Sequence, residues 1–151
     1  MVESIYVDSN AFILPVIGED SKRARGATSL LRMIETERVE AFTSILTWDE
    51  VAWVVAKVLG KSDGVAAGKK LLSFPHLRFV EVNSAIMSTA QSLLERYSSR
   101  GLGPRDAIHC SSALTRKTIS IASDDGGLDV VKEVKRVSLE SFLDPATEGS
   151  D

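Results

Sequence analysis

The stretch Ser4-Ile5-Tyr6-Val7-Asp8 decides the fold, because it is an apolar run of strand length that ends on an acid. The pattern returns in Thr118-Ile119-Ser120-Ile121-Ala122-Ser123-Asp124-Asp125, again a strand-like run followed by carboxylates. Between them the chain alternates. Strands are expected at 39–44 and 77–82, and an edge strand at 136–139. Helices are expected at 10–17, 24–38, 47–59, 62–73, 84–97 and 104–117, with a short one at 128–133. Leu30, Leu31 and Ile34 mark the second helix by their spacing, and Ile86, Met87, Ala90, Leu93, Leu94 and Tyr97 mark the fifth. Thr47 reads as an N-cap with Glu50 as its capping-box partner. Gly60 reads as a stop, Asn83 or Ser84 as a cap, and Pro104 as a first helical residue, where its missing N–H costs nothing. Alternating strands and helices, with near-continuous apolar strands, imply an α/β fold: a parallel sheet with helices on both faces. Such sheets bind ligands at the carboxyl ends of their strands, which is where Asp8 and Asp125 fall.

The chain's 151 residues suit one domain with one core, expected to span 1–144, with 145–151 as a flexible tail. No apolar run approaches the roughly 20 residues a membrane helix needs. The start, Met1-Val2-Glu3-Ser4, lacks the character of a signal peptide, so a cytoplasmic protein with no membrane partner is expected. A single cysteine, Cys110, excludes an internal disulfide and a Cys-rich zinc site. The two histidines, His76 and His109, lie far apart with no metal-ligand spacing. That leaves an oxygen-only donor set, which suits Mg²⁺ or Mn²⁺ rather than Zn²⁺. The formal charge of −3 argues against a broad basic grip on DNA. Setting the four acids discussed next aside from −3 leaves +1, so a polyanionic substrate is not excluded.

Asp8, Glu50, Asp106 and Asp125 sit at segment ends that this fold brings together. Asp106 opens a helix in Gly103-Pro104-Arg105-Asp106 and shares a stripe with Cys110 and Ala113 at i, i+4, i+7. Those small residues let the helix approach the sheet, so Asp106 points inward, at the helix end whose dipole favours a carboxylate. Each acid alone has an ordinary alternative: Asp8 as an N-cap, Glu50 as a capping-box partner, Asp106 as a first-turn acid, Asp125 as a turn residue before Gly126-Gly127. Together they repel and raise one another's pKa unless a cation offsets them. A divalent ion does so, and it also polarises a phosphate and activates water. No Ser-His-Asp or Cys-His pair competes, since the neighbours His109 and Cys110 do not face each other on a helix. Cys110 reads as a small core residue, and Gly101-Leu102-Gly103 lacks the spacing of a phosphate-binding loop.

At four places the chain resembles PIN-domain nucleases, specifically the toxins of VapBC-type toxin–antitoxin pairs. These are Tyr6-Val7-Asp8-Ser9-Asn10-Ala11-Phe12, Thr47-Trp48-Asp49-Glu50-Val51, Pro104-Arg105-Asp106-Ala107-Ile108-His109, and Ile121-Ala122-Ser123-Asp124-Asp125-Gly126-Gly127-Leu128-Asp129. The resemblance spans Tyr6 to Asp129 in the family's order. It implies a three-layer α/β/α fold on a five-stranded parallel sheet, a Mg²⁺- or Mn²⁺-dependent endoribonuclease, and dimerisation. It further implies Asp8 and Asp106 as principal metal ligands, with Glu50 and Asp125 completing the set. Ser9, Asn10 and Ser123 would orient ligands or water. Asp124 competes with Asp125, which spacing favours because it lies two residues after Ser123. Asp129 matches a trailing acid of the family, with a plain place on the short helix as its alternative.

Arg105, beside Asp106, and Arg100 are the candidate phosphate contacts. No aromatic run offers a stacking platform for single strands. The helix at 47–59 carries Trp48, Val51, Ala52, Val55, Val58 and Leu59 on one broad face, with Trp53 and Val54 outside it. One core contact cannot bury all of these, which points to a homodimer surface or a groove for an antitoxin segment. Three other functions compete: RNA processing outside a toxin–antitoxin pair, a catalytically silent interaction module, and a phosphatase with Asp8 as nucleophile. The phosphatase needs a second acid where Asn10 stands.

Overall fold

The computed structural model describes residues 3–144, and the expected tail 145–151 lies outside the described residues. Five strands form one sheet: β1 Ser4–Val7, β2 Glu40–Ser44, β3 Leu77–Val80, β4 Ser120–Ala122 and β5 Lys135–Val137. Their spatial order is β3-β2-β1-β4-β5, and every neighbouring pair is parallel. Six helices connect them: α1 Asn10–Val16, α2 Lys22–Glu35, α3 Ile45–Leu59, α4 Lys61–Leu72, α5 Ser84–Tyr97 and α6 Pro104–Thr115. The expected three-layer α/β/α fold is present, and 135–137 is its edge strand. The short helix expected at 128–133 is a 3-10 turn at Gly126–Val130.

The two faces of the sheet bury separate cores. Ile5, Val7 and Ala41 point to the side covered by α1, α2, α3 and α4. Tyr6, Phe42 and Ile121 point to the side covered by α5 and α6, against Leu93, Ala107, Cys110 and Ala113. This is the period-2 alternation of strands. The fully buried Ala107, Cys110 and Ala113 give α6 the small face the sequence predicts. Burial and the Asp106 carboxylate push the Cys110 thiol up to about 12, so it is an inert core residue. Asn83 is the cap of α5, its side chain accepting from the Ile86 N–H at 3.0 Å. Gly60, at φ 109°, turns the chain from α3 into α4, a conformation L side chains rarely adopt.

One expectation fails here. Thr47 is not an N-cap. Helix α3 starts two residues earlier, at Ile45, with Ser44 as a cap that makes no side-chain bond. Thr47 is buried within the first turn, and the Thr43 hydroxyl bonds both Thr47 (2.7 Å) and the Val7 carbonyl (2.8 Å). That network ties the helix start to the sheet, so Glu50 lies beyond the first turn and has no capping role.

Candidate active site

Strand order reverses direction on either side of the β1–β4 pair, and the crevice at such a switch point is where open α/β sheets bind ligands. Asp8 follows β1 and Ser123 follows β4, side by side, with the Asp8 N–H bonded to the Ala122 carbonyl at 3.0 Å. Asp8 is buried, and both its oxygens are held. Oδ1 accepts the Ser9 N–H at 2.7 Å, and Oδ2 accepts the Ser123 hydroxyl at 2.6 Å. The Ser9 hydroxyl lies between Asp8 Oδ1 (3.5 Å) and Glu50 Oε2 (3.4 Å). Glu50 comes from the second turn of α3 and points into this edge.

Asp106, half-buried in the first turn of α6, and Asp125, exposed after β4, complete the group. A Cβ added at Gly127 would meet Asp125 Oδ1 at 3.0 Å and Asp106 Oδ2 at 3.3 Å, so the two carboxylates flank one point. Burial, then the Asp125 and Asp8 charges, push the Asp106 pKa from 3.8 up to about 7, with His109 pulling the other way. Among the described residues no lysine or arginine ion-pairs with Asp8, Glu50, Asp106 or Asp125.

The adjacent acids 124 and 125 separate cleanly. Asp124 turns away and accepts the Leu139 N–H at 2.9 Å, anchoring the segment after β5. Asp125 has its own N–H on the Ser123 hydroxyl (3.0 Å) and accepts the Gly127 N–H (2.9 Å), which aims it at the crevice. Asp129 does not join the cluster. It forms a two-bond pair with Arg136 at 2.8 and 3.0 Å, which holds its pKa low, and Arg136 also reaches the Ser123 carbonyl at 3.3 Å. Asn10 starts α1, and its Oδ1 is buried with no hydrogen-bond partner. Arg100 and Arg105 are exposed, on the 3-10 turn Ser98–Arg100 and at the start of α6.

The sequence reading missed one member. His109 is 1% exposed and stands inside the site, with Nε2 2.5 Å from Glu50 Oε1 and 3.4 Å from Asp8 Oδ1. Its Nδ1 is 2.7 Å from the hydroxyl of Tyr6, a fully buried residue. Burial disfavours its cation, but Tyr6, Glu50 and Asp8 outweigh this and hold its pKa well above the ordinary value. The oxygen-only expectation left His109 out, and its ring nitrogen stands beside the Asp8 and Glu50 carboxylates. The signal was available as spacing: His109 is i+3 from Asp106 on α6, and Tyr6 is i−2 from Asp8 on β1, so both pairs share a face. Distance along the chain between His76 and His109 was the wrong test, since the partners of a buried histidine come from other elements.

The donor set fits a divalent cation. Ligand-type atoms of Asp8, Glu50 and His109 lie within 4.8 Å of one another, and the Asp106–Asp125 pair adds two carboxylates that no lysine or arginine among the described residues ion-pairs. A cation between them would relieve the repulsion that raises Asp106.

The PIN domain family profile matches residues 5–134. No curated protein matches the chain by sequence. Among solved structures, the fold is similar to Mycobacterium tuberculosis VapC20, a sarcin–ricin loop cleaving toxin. That match has a TM-score of 0.69 and 20% identity, over 83% of this chain and 92% of the other. It is also similar to VapBC2 from Rickettsia felis bound to a promoter DNA fragment, at 0.68 and 13%, over 89% and 98%. DNA-bound VapBC from Salmonella typhimurium matches at 0.67 and 14%, over 92% and 99%.

Proposed function

The chain belongs to the PIN domain family, and from that premise we propose that it is a divalent-metal-dependent endoribonuclease, the toxin of a toxin–antitoxin pair. The observation that carries this reading is the convergence of Asp8, Glu50, Asp106 and Asp125 on one sheet edge, with Asp106 raised to about 7 by burial and then by the neighbouring acids. These four side chains would hold Mg²⁺ or Mn²⁺. Such an ion polarises a scissile phosphate and lowers the pKa of water at the site.

The chain's own residues supply order. Ser9 and Ser123 hold Asp8 in one rotamer, and the Gly127 N–H holds Asp125. The bare Oδ1 of Asn10 is an acceptor for a water or a ribose hydroxyl. Arg105 and Arg100, exposed near the start of α6, are the proposed phosphate contacts. RNA as substrate is supported by the likeness to VapC20, which is named as a sarcin–ricin loop cleaving toxin.

The toxin role is supported by the VapBC complexes of like fold and by apolar surface on α3 and α4. Trp53 is 54% exposed and Val65 74%, with Trp48, Val58, Leu59 and Leu72 also exposed. A homodimer partner or an antitoxin segment would cover this surface. A monomeric mass by light scattering, unchanged on Trp53→Ser, would remove the dimer.

Structured and tRNA-like RNAs incubated with Mn²⁺ or Mg²⁺ test the enzyme. Wild type cuts, while Asp8→Asn and Asp106→Asn do not. Equal cutting by all three would assign the activity to a contaminant.

A further inference from the structure

We propose that Tyr6 and His109 form a buried positioning relay that orients the Glu50 carboxylate, with His109 acting through Glu50 and not as a metal ligand. The inference rests on the metal-site reading above and names residues that the acid pattern does not include.

Hydrogen-bond chemistry assigns the donors. A carboxylate only accepts, so the 2.5 Å contact places the proton on His109 Nε2, which donates to Glu50 Oε1. The lone pair that a metal would need is thereby occupied. The Tyr6 hydroxyl can donate to Nδ1 or accept from it, so it satisfies the second ring nitrogen whichever form the imidazole takes. Ring packing adds to this: the Tyr6 and His109 rings meet edge to face, with centroids 5.6 Å apart and planes at 62°. Both side chains are buried, so the bond between them is shielded from water.

Glu50 has the most to gain. It stands on a different layer from α6, and its long side chain has more rotamers than Asp8 or Asp125. Its other contact, the Ser9 hydroxyl at 3.4 Å, is long and shared with Asp8. His109 therefore supplies the bond that selects one Glu50 rotamer and leaves Oε2 turned toward Ser9 and Asp8. Partners of this kind fix the orientation of a ligand and typically matter by about 10–100-fold in metal affinity or activity.

Three measurements on the full-length protein test the relay. In the first, Mn²⁺ binding is followed by calorimetry. His109→Leu weakens it by about 10–100-fold, and His109→Gln, whose amide N–H can still reach Glu50, recovers part of the loss. Equal loss in both variants overturns the relay. In the second, pulsed EPR of the Mn²⁺-loaded protein shows no directly bonded histidine nitrogen, and a strong ¹⁴N coupling lost in His109→Gln overturns it. In the third, NMR of the metal-free protein finds a proton on His109 Nε2, shifted far downfield by its short bond and moved by Tyr6→Phe. A bare Nε2 overturns the relay. Since this last measurement needs neither metal nor RNA, failure of the nuclease reading leaves it standing, and the two failures are distinguishable.

Discussion

On one side of the site, Asp8 and Glu50 have their oxygens held by Ser9, Ser123 and His109, deep at the end of β1. On the other side, Asp106 and Asp125 face each other around Gly127 with far fewer donors, and Asp106 is pushed up to about 7. The first half is preorganised by the protein itself, which satisfies its charges with hydrogen bonds. The second half keeps more of its mutual repulsion. The difference teaches that the fold alone orders one half of the acid cluster, through the ends of β1 and β4, and leaves the other half, on α6 and after β4, with its mutual repulsion.

The largest expected effects test whether the halves act together. Asp8→Asn and Asp106→Asn should each lower RNA cleavage by more than the roughly 100-fold that loss of an outer-shell partner costs. Residual activity in Asp106→Asn near wild type would confine the chemistry to the Asp8 half.

Stability should then pull the halves apart. In EDTA, Asp106→Asn removes repulsion and should raise Tm, by a few degrees for each kcal/mol relieved, since ~1 kcal/mol is worth ~2–4 °C in a domain of this size. Asp8→Asn replaces a fully bonded carboxylate and should lower Tm. A drop in both would mean that Asp106 is stabilised by contacts as Asp8 is.

The same contrast has a pH signature. Asp106 has a folded pKa of about 7 against an ordinary 3.8, so between these values the folded chain holds a proton that the unfolded chain has released. The metal-free protein should therefore lose stability as pH rises through that window, with the cost absent below 3.8 and complete above about 7. Chemical denaturation from pH 4 to 8 should show this slope in wild type and a shallower one in Asp106→Asn. Matching slopes would place the titration elsewhere.

The smallest effect concerns the neighbours 124 and 125. Asp124→Asn removes a charged acceptor from the Leu139 N–H and should cost about 1 kcal/mol with little change in cleavage. Asp125→Asn should do the reverse. The opposite outcome would exchange their roles.

Much of this architecture was legible along the chain. The apolar runs at 4–8 and 118–122, the small-residue stripe of α6 and the punctuation at Gly60, Asn83 and Pro104 are local signals, and the structure bears them out. Asp106 pointing inward followed from helical spacing alone. One reading failed because it treated a local pattern as complete: Thr47 resembles a cap, yet its hydroxyl is bonded to Thr43 from the neighbouring strand. For Asp129 both alternatives were open along the chain, and it lies in the 3-10 turn, paired with Arg136 on the edge strand.

By itself the sequence determined the layers, the elements and the four acids, because hydrophobic period, turn residues and helix signals act over a few residues. Only the tertiary structure decided that Asp125 faces the crevice while Asp124 anchors Leu139, and that Tyr6 and His109 reach Glu50. Those choices depend on strand order and on how closely α6 packs against β1. Local spacing puts Tyr6 on the face of Asp8 and His109 on the face of Asp106, but which residues meet across 41 to 103 positions is set only by how the elements pack.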